Sequence, residues 1–281
     1  MLTHFDHVTI IVHDVAAAAA RYGVLLGSEP RWRGEHHELG THAALFGLAN
    51  GLVELVGPVP GREESEGLRA LLATQGEGLY AIAFGTDDAA AAFAELRARG
   101  VRVAPPADGE AEDAAGTKRR YRTLELSPRA TRGLSVLAVE RHDSEALRAV
   151  VTDVAAAHAL DHVVVRTAEP DAAVALYRDG LGLRLALDRV LGETRMLFFR
   201  IGGVTLEVVH DAHASERDAF YGLAYRVGDI EATHARLGEQ GFSLGAVRSG
   251  NKPGTRVFTV RDGTCGVPTL VIWDPARPPP T

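Results

Sequence analysis

Two stretches, Phe5-Asp6-His7-Val8-Thr9-Ile10-Ile11-Val12 and Leu160-Asp161-His162-Val163-Val164-Val165, carry the same Asp-His step at the head of a β-branched run. Each is answered downstream by a second apolar run holding one glutamate. For the first it is Gly51-Leu52-Val53-Glu54-Leu55-Val56, and for the second Gly203-Val204-Thr205-Leu206-Glu207-Val208-Val209. His7 and Glu54 lie 47 residues apart, His162 and Glu207 45. Near-equal spacing points to a duplicated unit that opens on a strand with a histidine and closes on a strand with a carboxylate. Imidazole and carboxylate are ordinary ligands of divalent metals, so each copy carries two candidate metal ligands.

Outward from these runs, strands and helices alternate. Asp14 suits the N-cap of an Ala-rich helix that ends near Gly27. Residues 42–56 read as strand, turn, strand, with Asn50-Gly51 as a type I′ turn. A connecting helix is expected over 63–74. A second module starts with a strand at 80–84 and a helix at 87–99 stopped by Gly100. It continues through a polar, loop-like stretch at 105–116 to strands at 120–126 and 134–140. A linking helix is expected over 144–157. The third module repeats the first, with a strand at 162–166, a helix at 171–179 closed by Gly180, and a hairpin of 196–201 and 204–209 about Gly202-Gly203. The fourth repeats the second: Tyr80-Ala81-Ile82-Ala83-Phe84 aligns without gaps to Tyr221-Gly222-Leu223-Ala224-Tyr225, and Arg120-Tyr121-Arg122-Thr123 parallels Arg256-Val257-Phe258-Thr259. The Pro-rich stretch 275–281 reads as a disordered tail.

The fold class is therefore α+β, with four βαβββ modules at 1–57, 78–142, 158–211 and 219–274. They are expected to form an N-terminal domain over 1–142 and a C-terminal one over 158–274, joined by the linking helix at 143–157. One module is too small to bury a good core, and neighbours in sequence usually pair. A curved module beside its partner makes a cup into which alternate strand residues project. If modules one and three met instead, His7, Glu54, His162 and Glu207 would form one quartet.

Composition limits the function classes. The chain of 281 residues is 46% hydrophobic and 24% charged, ordinary for a globular protein. A net charge of −7 offers no footprint for nucleic acid or anionic membrane. The single cysteine, Cys265, allows no intrachain disulfide. The first residues lack a signal-peptide pattern and no apolar run is long enough for a span, so a cytoplasmic location is expected.

The pattern Asp-His-Val, helix, Leu-Gly, then Val-Glu-Leu-Val at a strand end resembles the vicinal oxygen chelate superfamily. That group includes glyoxalase I, methylmalonyl-CoA epimerase, extradiol dioxygenases and the fosfomycin and bleomycin resistance proteins. The resemblance covers residues 3–274. His37 followed by Gly40-Thr41, and Leu55-Val56-Gly57-Pro58, resemble the glyoxalase-like and epimerase-like branches. It implies two glyoxalase-like domains and a divalent metal ion (Zn, Ni, Co, Mn or Fe). The metal would be held by one residue from the first and one from the last strand of each of two paired modules. On this sequence His7 and Glu54 fill both places in module one, and His162 and Glu207 both in module three. Modules two and four depart from the pattern, except that module two ends Ala138-Val139-Glu140-Arg141-His142. Glu140 then becomes the candidate third ligand or catalytic base, which makes the N-terminal half the better site.

Other residues carry weaker signals. His36, His37 and His42 flank a loop of module one, where they would line the pocket mouth or simply face solvent. Arg120 and Arg256 match between modules and would hold a substrate carboxylate if they faced the cup. Tyr80 and Tyr221 also match, as substrate contacts or as core. Residues 250–256 would form a lid or a hairpin loop. Cys265 lacks the neighbours of a nucleophile.

These readings converge on a metal-dependent enzyme of isomerase or lyase type that acts on a small oxygenated substrate through an enolate-like intermediate. The alternatives are a non-catalytic small-molecule binding or sequestration protein and an Fe(II) extradiol-type dioxygenase. The last needs two histidines and a carboxylate on one metal. A small molecule is the expected partner, with room for a homodimer. Elemental analysis of the protein beside His7→Ala and His162→Ala tests this. About one divalent ion per chain, lost in His7→Ala, is the expected outcome.

Overall fold

The computed structural model describes residues 1–148, 151–215 and 217–279. Its strands fall into four sets of four. They are β1 (His4–Ile11), β2 (Trp32–His36), β3 (Thr41–Leu48) and β4 (Gly51–Pro58); β5 (Gly78–Gly85), β6 (Ala107–Asp113), β7 (Lys118–Glu125) and β8 (Ser135–Arg141); β9 (Ala157–Thr167), β10 (Arg184–Leu191), β11 (Thr194–Ile201) and β12 (Val204–His210); β13 (Ala219–Val227), β14 (Arg248–Ser249), β15 (Arg256–Val260) and β16 (Thr269–Trp273). A helix follows the first strand of each set: Val15–Leu26, Ala89–Ala98, Pro170–Val174 continued by a π-turn over Ala175–Gly180, and Ile230–Glu239. Asp14, Asp88 and Asp229 cap three of these, each carboxylate accepting from backbone amides of the first turn.

Modules pair in sequence order. The first two close into a barrel, β1-β4-β3-β2-β6-β7-β8-β5, and the last two make an open sheet, β10-β11-β12-β9-β13-β16-β15-β14. His7 and His162 therefore belong to separate cups, and the quartet does not form. Closure of the barrel rests on β2 against β6, with Gly34 opposite Asp113 and Glu35 opposite Glu112. A Cβ at Gly34 would stand 2.3 Å from the Glu112 carbonyl oxygen, so only glycine permits the approach. Among the described residues no such pair joins β10 to β14, the two ends of the second sheet.

Alternation along each strand separates core from cup. Val8, Ile10, Val53 and Leu55 face outward onto the helix Val15–Leu26, as Val163, Val165, Leu206 and Val208 do in the second half. All of them join one apolar core that runs through both halves. The Tyr22 hydroxyl donates across this core to the Thr264 carbonyl, at 3.0 Å. The hairpin turns dock reciprocally. Asn50 pairs its side-chain amide with the backbone N–H and C=O of Leu160 on β9, while Gly202 packs on the backbone of His4 and Phe5 on β1.

Several expectations change. Residues 105–116 contain β6, not merely a loop, because β2 and β7 hold that backbone from both sides. The linking helix is one turn, Ser144–Leu147, and residues 149–150 of that stretch lie outside the described residues. The first hairpin turns on Ala49-Asn50, since Gly51 already pairs with Leu48 and neither Asn50 nor Gly51 has positive φ. Gly202 and Gly203 do, at 54° and 82°, as a type I′ turn requires. The tail is ordered as far as it is described: Arg277 is anchored by Asp161 and the Gly203 carbonyl, and residues 280–281 lie outside the described residues. Among the described residues no helix is long and apolar enough to cross a membrane. Gly34→Ala is expected to lower the unfolding free energy by about 1–3 kcal/mol in urea titration, through the forced separation of β2 from β6.

Candidate functional site: two unequal cups

A β-bulge explains each Asp-His step. Between β1 and β5 the register skips Asp6, and between β9 and β13 it skips Asp161. The extra residue lets aspartate and histidine lie side by side within the cup. His7 Nδ1 is 2.6 Å from Asp6 Oδ1, and His162 Nδ1 is 3.0 Å from Asp161 Oδ2. The carboxylate fixes the proton on Nδ1 and leaves Nε2 facing inward. In both cups Nε2 points at the expected glutamate, 3.5 Å from Glu54 and 3.9 Å from Glu207.

The N-terminal cup is filled. Trp32, Ala43, Leu45, Leu52 and Ala111 pack inside it, with Leu147 of the one-turn helix seated among them. His36 also faces inward. Its Nε2 lies 3.7 Å from Glu54 and its Nδ1 2.8 Å from the Tyr121 hydroxyl. Burial opposes the Glu54 charge, but the adjacent His36 imidazole and the charges of His7 and Arg141 outweigh it and hold its carboxyl well below the usual range, while the Thr9 hydroxyl donates to it at 3.0 Å. Burial, with the Glu54 charge, pushes Tyr121 up to about 12.

Glu140 does not join this group. It lies on the other face of β8 and accepts from the backbone N–H of Ala89 at 2.7 Å, at the start of the helix Ala89–Ala98. The next residue, Arg141, turns inward instead, 3.0 Å from Asp6. A guanidinium thus stands where the sequence suggested a third carboxylate.

The C-terminal cup is hollow. A cavity of about 470 Å³ opens between β10 and the loop after β14, onto His162, Glu207, Thr205 and Asp161. Leu187, Met196, Phe198, Leu270 and Ile272 supply apolar walls, and residues 250–253 with Thr255 line the same cavity. Cations crowd it. Arg277 and Arg226 approach Asp161 at 2.8 and 3.4 Å, and Lys252 pairs with Asp274 at 2.5 Å. Burial opposes the Asp161 charge, but His162, Arg277 and Arg226 prevail and keep its carboxyl below the ordinary value. Of the three histidines read as pocket-mouth candidates only His36 faces a cup, and sequence reading missed Arg141, Arg200 and Arg277. A count of inward strand positions finds Arg200, but nothing local reveals Arg277.

The remaining candidates lie outside the cavity. His37 and His42 are exposed beside Glu35. Arg120 pairs with Glu110 and Arg256 with Glu231. Tyr80 and Tyr221 are exposed, neither core nor cup, and Arg166 stacks on Tyr221. Burial raises the Cys265 thiol to about 12, which suits no nucleophile.

The donors fit a resident divalent metal only halfway. Counted from the helix N-caps, Ala81 and Gly222 stand where His7 does, and Leu137 and Leu270 where Glu54 does. At these positions each cup therefore offers one histidine and one glutamate, with guanidinium groups close by, and the N-terminal cup adds His36 beside Glu54. Among the described residues no three His, Cys, Asp or Glu side chains are grouped to hold a metal.

A family profile described as a glyoxalase-like domain matches residues 5–182, well over half of the chain. The chain belongs to the glyoxalase-like family. A second profile, the glyoxalase/bleomycin resistance protein/dioxygenase superfamily, matches residues 159–268 of this glyoxalase-like protein. No functionally curated protein matches it. Among solved structures, a mutant of 4-hydroxymandelate synthase from Streptomyces coelicolor aligns over 97% of this chain and 93% of its own, with TM-score 0.69 and 13% identity. A hypothetical protein from Staphylococcus aureus aligns over 96% and 98%, with TM-score 0.66 and 10% identity. These show a shared two-domain vicinal oxygen chelate fold. A Streptomyces coelicolor methylmalonyl-CoA epimerase variant is 27% identical over 51% of this chain and 98% of its own, with TM-score 0.42.

Behind the hollow cup of this glyoxalase-like protein, His158 is buried with neither ring nitrogen hydrogen-bonded. Burial, then the charges of Arg226 and Arg277, lower its pKa to about 4 from an ordinary 6.5. Between these values the unfolded chain takes up a proton that the folded chain refuses. The stability contribution is complete above pH 6.5 and is lost as pH falls toward 4. Asp6 and Asp161, with pKa values below 3.8, lose theirs further down. His158→Leu is expected to flatten the urea-midpoint profile between pH 6.5 and 4 relative to the parent.

Proposed function

We propose that this glyoxalase-like protein works through its C-terminal cup, where it takes up a small oxygenated molecule and moves a proton on it, chemistry of isomerase or lyase type. One observation carries the reading: the cavity opens onto His162 and Glu207, whereas their counterparts His7 and Glu54 lie beneath Leu147 and its apolar neighbours. About 470 Å³ is the size of an ordinary small-ligand site. Its apolar walls exclude water from the Glu207 carboxylate, which is placed as the base for a proton beside a carbonyl. His162, with its Nδ1 proton tied to Asp161, presents Nε2 as the group that accepts or returns a proton at the ligand oxygen. Glyoxalase-like proteins draw on a divalent metal to polarise such an oxygen. Here the ligand would have to bring the missing donors, so no step is assigned to a metal.

The second reading is binding without turnover. It is favoured by Gly222 and Leu270, apolar at two of the four positions where the family places ligands.

With a screened substrate, His162→Ala and Glu207→Gln are expected to lower kcat by about a hundredfold or more, while His7→Ala retains the parent rate. Loss of activity in His7→Ala alone, with both C-terminal variants intact, overturns the assignment. Ligand uptake without product in every screen selects the binding reading. Because the ligand positions of the C-terminal cup hold only His162 and Glu207, elemental analysis of the ligand-free protein is expected to give well below about one divalent ion per chain, in place of the full equivalent expected from the sequence alone. A full equivalent that disappears in His162→Ala restores the metal-dependent enzyme.

A further inference from the structure

The cup floor carries more positive charge than its own acids neutralise. Asp161 is shared by His162, Arg226 and Arg277, and Asp274 is taken by Lys252. Among the described residues Arg200 makes no hydrogen bond or ion pair, although the charge of Asp161 reaches it. It projects from β11 into the cavity, and Thr205 pairs with both Arg200 and His162 in the strand register, so the three form one row across the cup. The matching residue in the filled N-terminal cup is Gly47, opposite Leu52, which in turn pairs with His7. Among the described residues two more cavity arginines, both exposed, also lack a carboxylate: Arg189 lies 5.9 Å above the Phe198 ring, and Arg248 donates to the Ser249 carbonyl. Burial, then the neighbouring Arg277 charge, lowers the Arg200 pKa. Partly buried guanidinium groups that repel one another favour a counter-anion, and the planar fork matches two oxygens of a carboxylate or phosphate.

We propose that the ligand of the C-terminal cup is a small organic anion whose carboxylate or phosphate is seated on Arg200 beside Thr205, with the rest of the molecule lying past Phe198 toward Glu207 and His162. This rests on the reading of that cup as the working site. It gives the row Arg200–Thr205–His162 a division of labour, with an anchor at one end and the proton-transfer pair at the other.

Titration calorimetry with oxalate, inorganic phosphate and neutral oxamide tests it, on the parent protein and on Arg200→Gln, Arg200→Lys and Leu270→Trp, each first shown to be folded by circular dichroism. The expected result is saturable binding of oxalate or phosphate, weakened about tenfold or more in Arg200→Gln, partly recovered in Arg200→Lys, and abolished when Leu270→Trp fills the cavity. The preferred anion distinguishes a carboxylate ligand from a phosphate. If oxamide binds as well as oxalate and Arg200→Gln changes nothing, while Leu270→Trp still abolishes binding, the anion class is overturned and the cup remains the site. If anion binding survives Leu270→Trp, the cup itself is overturned as the site. Absence of saturable binding of either anion to the parent protein overturns the anion proposal.

Discussion

One strand contact, β2 against β6 at Gly34, sets the character of the molecule. Where it forms, the sheet closes on itself and side chains fill the interior, as in small barrels generally. Where its counterpart is missing, between β10 and β14, the same architecture leaves a gap that opens on a cavity. The two halves share module order, bulge and His–Glu pair, yet one is packed and the other hollow. In the closed half the inward charges compensate one another: Arg141 meets Asp6, and Glu54 sits between His7 and His36. In the open half they do not, and the surplus is positive.

The Asp-His step is read correctly as a strand head with an inward histidine, but its mechanism belongs to the backbone. Consecutive residues on a regular strand face opposite sides. Only because the register skips Asp6 and Asp161 do both side chains reach the same cup. The bulge therefore turns a dipeptide into an oriented imidazole, twice.

Much of the fold was legible from the residues. Four modules and the inward placement of His7, Glu54, His162 and Glu207 follow from repeats and alternation; which modules pair does not, and sequential pairing is only the more usual of several arrangements. The misses have specific causes. Ala107–Asp113 has the composition of a loop and becomes a strand only because β2 and β7 flank it, a tertiary override of weak propensity. Glu140 and Arg141 are adjacent and both polar, so nothing in the local pattern says which one faces in; a one-residue slip reverses the answer. Which cup is hollow depends on a pairing between distant strands and on Leu147, and neither leaves a local signature. Arg277 hides within a Pro-rich stretch whose composition argues for disorder.

Arg277 also has a consequence for how the molecule is made. The strands of the closed barrel end at Arg141, so its charges can find one another while later segments are still being synthesised. Asp161, in contrast, waits for a guanidinium that lies 116 residues downstream. The hollow cup therefore acquires its final electrostatics only once Arg277 has been made, later than the barrel can form its own Arg141–Asp6 pair.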